Sequence, residues 1–196
     1  MPPFFQDALD LARFRVKALE HYAYDWWLPV LWLSFLAVVP PLLALAGSDA
    51  PIAMLLTLSL ALTWVTVLML TFFFGWWLKR DPASKVRGSL FPLVVLASSG
   101  QLLGPLLALL PGGLRTLAHI ALLVYQFWVL ATALSRATGM SSRYVLKGFL
   151  HYFAAWLIVG VVLSVIAGML GLLPAPPGQA DPAKAGRPLT QVQEQP

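Results

Sequence analysis

The chain contains no cysteine. That absence excludes disulfides, a thiol nucleophile and a thiolate metal site, and leaves the redox compartment open. Acidic residues are nearly as scarce. Only 8 Asp and Glu occur among 196 residues, and none lies deep in an apolar run. A proton relay inside a membrane needs ionisable groups within the spans. Pumps, proton-coupled carriers and intramembrane enzymes therefore lack their usual equipment here. There is also no phosphate-binding glycine loop, no H-E-x-x-H and no G-x-S-x-G. These absences predict a protein that is not an enzyme, with no catalytic residue, no metal and no cofactor.

What is present is apolar. Hydrophobic residues make up 59% of the chain and charged residues 11%, whereas soluble domains carry about 25% charged residues. A helix needs roughly 20 apolar residues to cross the ~30 Å core of a bilayer. Five runs meet that length: Trp26 to Ala46, Pro51 to Leu78, Ser89 to Leu110, Leu114 to Leu134 and Phe149 to Leu173. The expected fold class is all-α, an integral membrane bundle of five transmembrane helices with an N-terminal amphipathic helix. Residues 1–25 form a cytoplasmic arm, 26–173 the membrane domain and 174–196 a disordered outer tail rich in Pro, Gly, Ala and Gln. The first run starts near residue 26 and is too long for the apolar core of a signal peptide, so it reads as an uncleaved first span.

Charge sets the orientation. Arg13, Arg15 and Lys17 lie on the arm; Lys79, Arg80, Lys85 and Arg87 follow the second run; Arg136, Arg143 and Lys147 follow the fourth. The opposite side has Arg115, Lys184 and Arg187. Ten basic residues against three put the N-terminus in the cytoplasm and the C-terminus outside. Lys79, Arg80, Lys85, Arg87, Arg143 and Lys147 are the expected contacts for anionic headgroups. Nucleic acid is not an expected partner, because the charge lies beside a membrane and is spread over short loops. Tyr22, Tyr24, Trp26, Trp27, Phe72 to Phe74, Trp76, Trp77, Tyr144 and Tyr152 fall near the same inner interface, where amphipathic rings anchor at headgroup level.

On the arm, Phe5, Leu9, Ala12, Val16, Leu19 and Ala23 recur at helical spacing, with Asp7, Asp10, Arg13, Lys17 and Glu20 mostly opposite. This predicts one amphipathic helix over residues 4–24, either flat on the inner leaflet or docked on the protein's own cytoplasmic loops. Pro29 predicts a bend near Trp27 to Pro29, and Pro40-Pro41 a kink or helix end. The segment PLLAL at residues 41–45 and 105–109 is a weak internal echo.

The third run is the most unusual. In Ser98-Ser99-Gly100-Gln101-Leu102-Leu103-Gly104-Pro105, Gly100 and Gly104 are spaced for close helix approach. Pro105 cannot donate to the carbonyl of Gln101, which then needs a neighbouring side chain or water. The Gln101 side chain could pair with Gln126 on the fourth run. A packing seam and a broken-helix binding site both fit this pattern. On the fifth run Gly160, Ser164 and Gly168 share one face, marking a packing surface for another part of the chain or for a second copy. His119 and His151 lie near span ends, and His21 could approach His151 at the inner surface. Too few ligands gather near any of them in sequence to hold a metal.

The five-run plan, the basic loop entering Gly88-Ser89-Leu90-Phe91-Pro92 and the loop Thr138-Gly139-Met140-Ser141-Ser142-Arg143 resemble the bacterial branch of the Yip domain family, the Rab-interacting-type membrane proteins. The similarity spans roughly residues 25–172. Eukaryotic members carry an acidic-Leu-x-Gly-Pro motif before the first span. This chain has Asp25-Trp26-Trp27-Leu28-Pro29 there, so small-GTPase recognition does not carry over. The resemblance implies a non-enzymatic protein of the bacterial inner membrane that organises membranes or recruits partners, whether lipids, another membrane protein or a second copy. The alternatives are a small transporter or channel component using the broken third helix, or an accessory subunit of a larger membrane complex. A polar cavity reaching Gln101 and Gln126 would favour transport, and a dry bundle scaffolding.

Overall fold

Long apolar stretches with few helix breakers leave the backbone one way to satisfy its hydrogen bonds without water, the α-helix. The computed structural model describes residues 3–44, 52–82, 84, 86 and 88–169. Among these every regular element is helical: α1 (Pro3–Ala12), α2 (Trp27–Ala44), α3 (Ile52–Lys79), α4 (Phe91–Ala97), α5 (Gly104–Leu107), α6 (Gly112–Thr138) and α7 (Ser142–Met169). Two 3-10 turns join them, Leu19–Tyr22 in the arm and Ser98–Leu103 between α4 and α5. The tail expected over residues 174–196 lies outside the described residues, as do Lys85 and Arg87.

Two of these helices, α3 and α6, are long and apolar enough to cross a membrane. Only 6% of the most apolar 18-residue window of α3 is buried, and 22% of that of α6. Met54, Leu58, Leu62 and Phe72 on α3 and Leu117, Leu123 and Val124 on α6 point outward. α2 and the segment from α4 to α5 are shorter apolar helices. Pro40 and Pro41 sit inside α2, which runs on to Ala44. Pro29 falls in its first turn, where a missing N–H removes no intrahelical bond.

The elements divide into two units, one to Tyr152 and one from Phe153. In the first, α4 is the central post. Its residues Pro92 to Ala97 are all buried, and α1, α2, α3, α6 and the Leu19–Tyr22 turn all pack against it. Between α6 and α7 the chain reverses tightly. Gly139 takes the left-handed conformation (φ 69°) and its N–H donates to Arg136, while Ser141 caps α7 by accepting from the Tyr144 N–H.

Where the C-terminal end of α3 meets the first turn of α7, Trp77 Nε1–H donates to the Tyr144 carbonyl (3.3 Å) and the Tyr144 hydroxyl donates to the Trp77 carbonyl (2.9 Å). The two rings stack at 5.4 Å. Gly148 makes this possible, since a Cβ there would stand 2.8 Å from the Trp77 ring.

Candidate functional site

The first assembly is the folded arm. The helix expected over residues 4–24 ends at Ala12. Phe14 adopts φ +60°, the Phe14 N–H donates to Leu11 (2.9 Å) and the Arg15 N–H to Asp10 (2.7 Å). These two bonds form a Schellman motif with phenylalanine where glycine is usual. The buried face is also not the one expected. Phe4, Asp7 and Leu11 are buried, whereas Phe5 and Leu9 are 41% and 48% exposed. Ending the helix early frees the chain to fold back as the Leu19–Tyr22 turn, which surrounds Asp7.

Asp7 is only 1% exposed. Lys17 Nζ reaches its Oδ1 at 2.6 Å, His21 Nε2 lies 3.0 Å from Oδ2, and the Tyr24 hydroxyl donates to Oδ2 as well. His21 Nε2 is also 3.2 Å from Lys17 Nζ. Protonated, that nitrogen donates to Asp7; unprotonated, it accepts from Lys17. Burial alone would raise the Asp7 carboxyl. The Lys17 and Tyr24 hydrogen bonds and the nearby positive charges outweigh it and hold the carboxyl below its ordinary value of 3.8. The same hydrogen bond raises Lys17 above 10.5, and burial, then the bond to Asp7, pushes Tyr24 up.

The arm is tied to the helices at three further points. Phe4 and Phe5 meet the Trp32 ring edge to face at 5.9 and 5.0 Å. The Tyr125 hydroxyl donates to the Ala12 carbonyl. Arg136 Nη1 donates to the Phe14 carbonyl at 2.8 Å. His21 is therefore committed to Asp7, while His151 lies on Trp77 (4.8 Å between rings) and at 2.7 Å from the Lys147 carbonyl. His119 Nδ1 lies 3.0 Å from the Arg115 carbonyl.

The second assembly is the broken third helix. Ser98 Oγ back-bonds to Val94 (2.9 Å) and the chain tightens to 3-10 geometry. The Gln101 carbonyl that Pro105 cannot serve accepts the Gly104 N–H instead. The expected rescue by a side chain or water is thus replaced by the backbone itself, because a 3-10 bond reaches one residue less than an α bond. Trp32 Nε1–H donates to Ser99 Oγ at 2.9 Å, fastening α2 to the turn. A Cβ on Gly100 would lie 3.1 Å from Gln126 Cγ, whereas one on Gly104 would meet nothing within 4 Å. Gly100 is therefore a close contact and Gly104 is not. Among the described residues no hydrogen bond joins Gln101 to Gln126.

Between α1 and this turn lies a half-open cavity of about 480 Å³. Phe5, Ala8, Leu9 and Ala12 form one wall. Trp32, Ser99, Gly100, Leu102, Leu103 and Tyr125 form the other. Its polar groups are already engaged, Tyr125 with Ala12 and Trp32 with Ser99. Gln126 lines a small adjoining void of about 20 Å³.

The remaining expected positions are peripheral. Lys79 ends α3 and is exposed. Arg80 lies 3.9 Å over the Trp76 ring. Arg143 and Lys147 are exposed on the first turns of α7. Gly160, Ser164 and Gly168 fall on α7, but their surroundings lie outside the described residues. Arg115, on the first turn of α6, donates to the carbonyls of Ala108 (2.9 Å) and Leu110 (3.3 Å), closing the end of α5.

Sequence reasoning missed Asp7, Trp32, Tyr125 and Gly148 as determinants. Gly148, a glycine inside an aromatic-rich helix, carried a readable sign of close approach. Set against family models, curated proteins and solved structures, the chain matches none of them.

Proposed function

We propose that this chain is a non-enzymatic integral membrane protein of five spans, a Yip-like organiser that binds lipids or partner proteins at the face where its arm folds over the broken third helix. One observation carries the reading. The most apolar 18-residue window of α3 is 6% buried. In water, a 28-residue helix with that composition would hide its leucines, because each fully buried one stabilises by about 1.5–3 kcal/mol. Hydrocarbon is the solvent in which leaving them outside costs nothing. Apolar α2, α4–α5 and α7 supply the other three spans, and the basic loops set the N-terminus in the cytoplasm of a bacterial inner membrane.

The character of the cavity favours an organiser over a carrier. A transport path needs polar groups free to replace a solute's hydration. Here the larger cavity is walled by apolar side chains, its Trp and Tyr donors are taken, and neither Gln101 nor Gln126 lines it.

The cysteine-free background gives a direct test. Gly113→Cys should be labelled by an impermeant maleimide on intact cells, and Ser84→Cys only after permeabilisation. The protein should resist alkaline carbonate extraction. Labelling of Ser84→Cys from outside, or recovery of the protein in the soluble fraction, would overturn the proposal. Mild-detergent purification with mass spectrometry then identifies the lipids or proteins it holds.

A further inference from the structure

We infer that the cavity between α1 and the Ser98–Leu103 turn holds the acyl chain of an anionic phospholipid, and that Arg13, Arg15 and Arg136 hold its headgroup. The inference rests on the membrane reading above and names the ligand of that same face.

The cavity suits hydrocarbon. Its volume of about 480 Å³ lies within the roughly 300–1,000 Å³ of small-ligand sites. The Trp32 and Tyr125 donors on its wall are spent on Ser99 and Ala12, so a polar guest would leave its own groups unsatisfied. Its rim residues Phe5, Leu9 and Leu103 are exposed, so its mouth is apolar.

The cavity also ends at charge. The α1 wall finishes at Ala12, and the chain then passes through Arg13, Phe14 and Arg15. Arg13 and Arg15 are exposed, and their side chains make no hydrogen bond or ion pair among the described residues. Arg136 brings a third guanidinium to the same spot by donating to the Phe14 carbonyl at 2.8 Å. The carboxylates of α1 do not neutralise this group. Asp7 and Asp10 are both taken by Lys17, at 2.6 and 3.7 Å. Guanidinium forks match phosphate oxygens in both charge and geometry. A greasy slot beside three guanidinium groups that meet no carboxylate among the described residues suits a phospholipid with a net negative headgroup better than a free anion, which would not use the slot. It also fits better than a neutral lipid, which would not use the arginines.

The test uses the full chain in a neutral detergent, titrated with phosphatidylglycerol and with phosphatidylcholine of identical chains and read by native mass spectrometry. Phosphatidylglycerol should bind more tightly. Arg13→Gln/Arg15→Gln should weaken it by about five-fold per arginine and leave phosphatidylcholine unchanged. Ala8→Trp, which fills the slot, should weaken both lipids while helicity stays constant. Equal binding of the two lipids, indifference to the arginine variants, indifference to Ala8→Trp, or a second copy of the chain bound in place of lipid would each overturn the inference. Carbonate extraction of the same variants separates the two failures. An extractable wild type sinks the membrane reading, whereas an integrated protein without lipid preference sinks only this site.

Discussion

Replacing Asp7 with Asn tests whether the arm is held by its buried carboxylate. The substitution preserves shape and one acceptor oxygen while removing the charge. In the wild type that charge receives Lys17 at 2.6 Å, His21 at 3.0 Å and the Tyr24 hydroxyl, all on a side chain 1% exposed. A hydrogen bond to a charged group contributes about 1.5–3 kcal/mol, against about 1 for a neutral one. Lys17 is 42% exposed, so water takes over much of its solvation and little is added for a stranded cation. A loss of about 2 kcal/mol in arm docking follows, or about thirty-fold more open arm. Trypsin reports the open population when closing outpaces cleavage, and the arm offers it Arg13, Arg15 and Lys17. Cleavage there should accelerate about thirty-fold in Asp7→Asn, and less when the substitution is made on a Lys17→Gln background. A change below about three-fold, or full additivity of the two substitutions, would refute the argument. The pH response has a defined sign. The folded carboxyl sits below 3.8, so its contribution is complete above that value and fades as pH falls through the folded one. Amide exchange over residues 3–12 should therefore rise in the wild type only below about pH 4, and not in Asp7→Asn.

Three further outcomes follow from the packing. Gly148→Ala drives a methyl to 2.8 Å from Trp77 and should cost about 1–3 kcal/mol, while Gly104→Ala, with nothing within 4 Å, should be neutral or stabilising by up to about 1 kcal/mol; melting in detergent distinguishes them, and equal effects would contradict the geometry. Phe14→Gly relieves a φ of +60° worth about 1–2 kcal/mol and loses the edge contact with Tyr125 at 5.9 Å, worth about 0.5–1.5 kcal/mol, so its net change should be small; Phe14→Val, β-branched at positive φ, should destabilise clearly in the same assay. Trp32→Phe removes the 2.9 Å bond to Ser99 and should cost about 0.5–1.5 kcal/mol, and Ser99→Ala added to it should cost little more.

Features governed by local chemistry were legible. The run Pro51 to Leu78 and the helix Ile52–Lys79 differ by one residue at each end, because an unbroken apolar stretch has no competing structure. The interruption near Gly100 was legible because two glycines and a proline within six residues leave few α bonds to make. The arm was not. Its apolar spacing continues smoothly across Phe14, and nothing local marks a phenylalanine that will turn left-handed. Asp7 read as a solvent-facing carboxylate, since its partners stand 10, 14 and 17 positions away and meet it only once the chain has reversed. The Trp32–Ser99 and Trp77–Tyr144 bonds each join residues 67 apart, a separation at which composition and periodicity say nothing.

The ties from Ala12 to Tyr125 and from Phe14 to Arg136 reach across 113 and 122 positions. A ribosome adding about 5–20 residues per second therefore leaves the leading segment without its seat for several seconds at least, until the fourth long apolar stretch has emerged. During that interval Asp7 can already meet Lys17, His21 and Tyr24, but the Ala12 and Phe14 carbonyls lack their donors, and a chain cut short before Tyr125 never provides them. Docking of the leading segment on the long helices is thus a late event in biogenesis, and a nascent protein that displays it loose is recognisably unfinished to any protease that meets it.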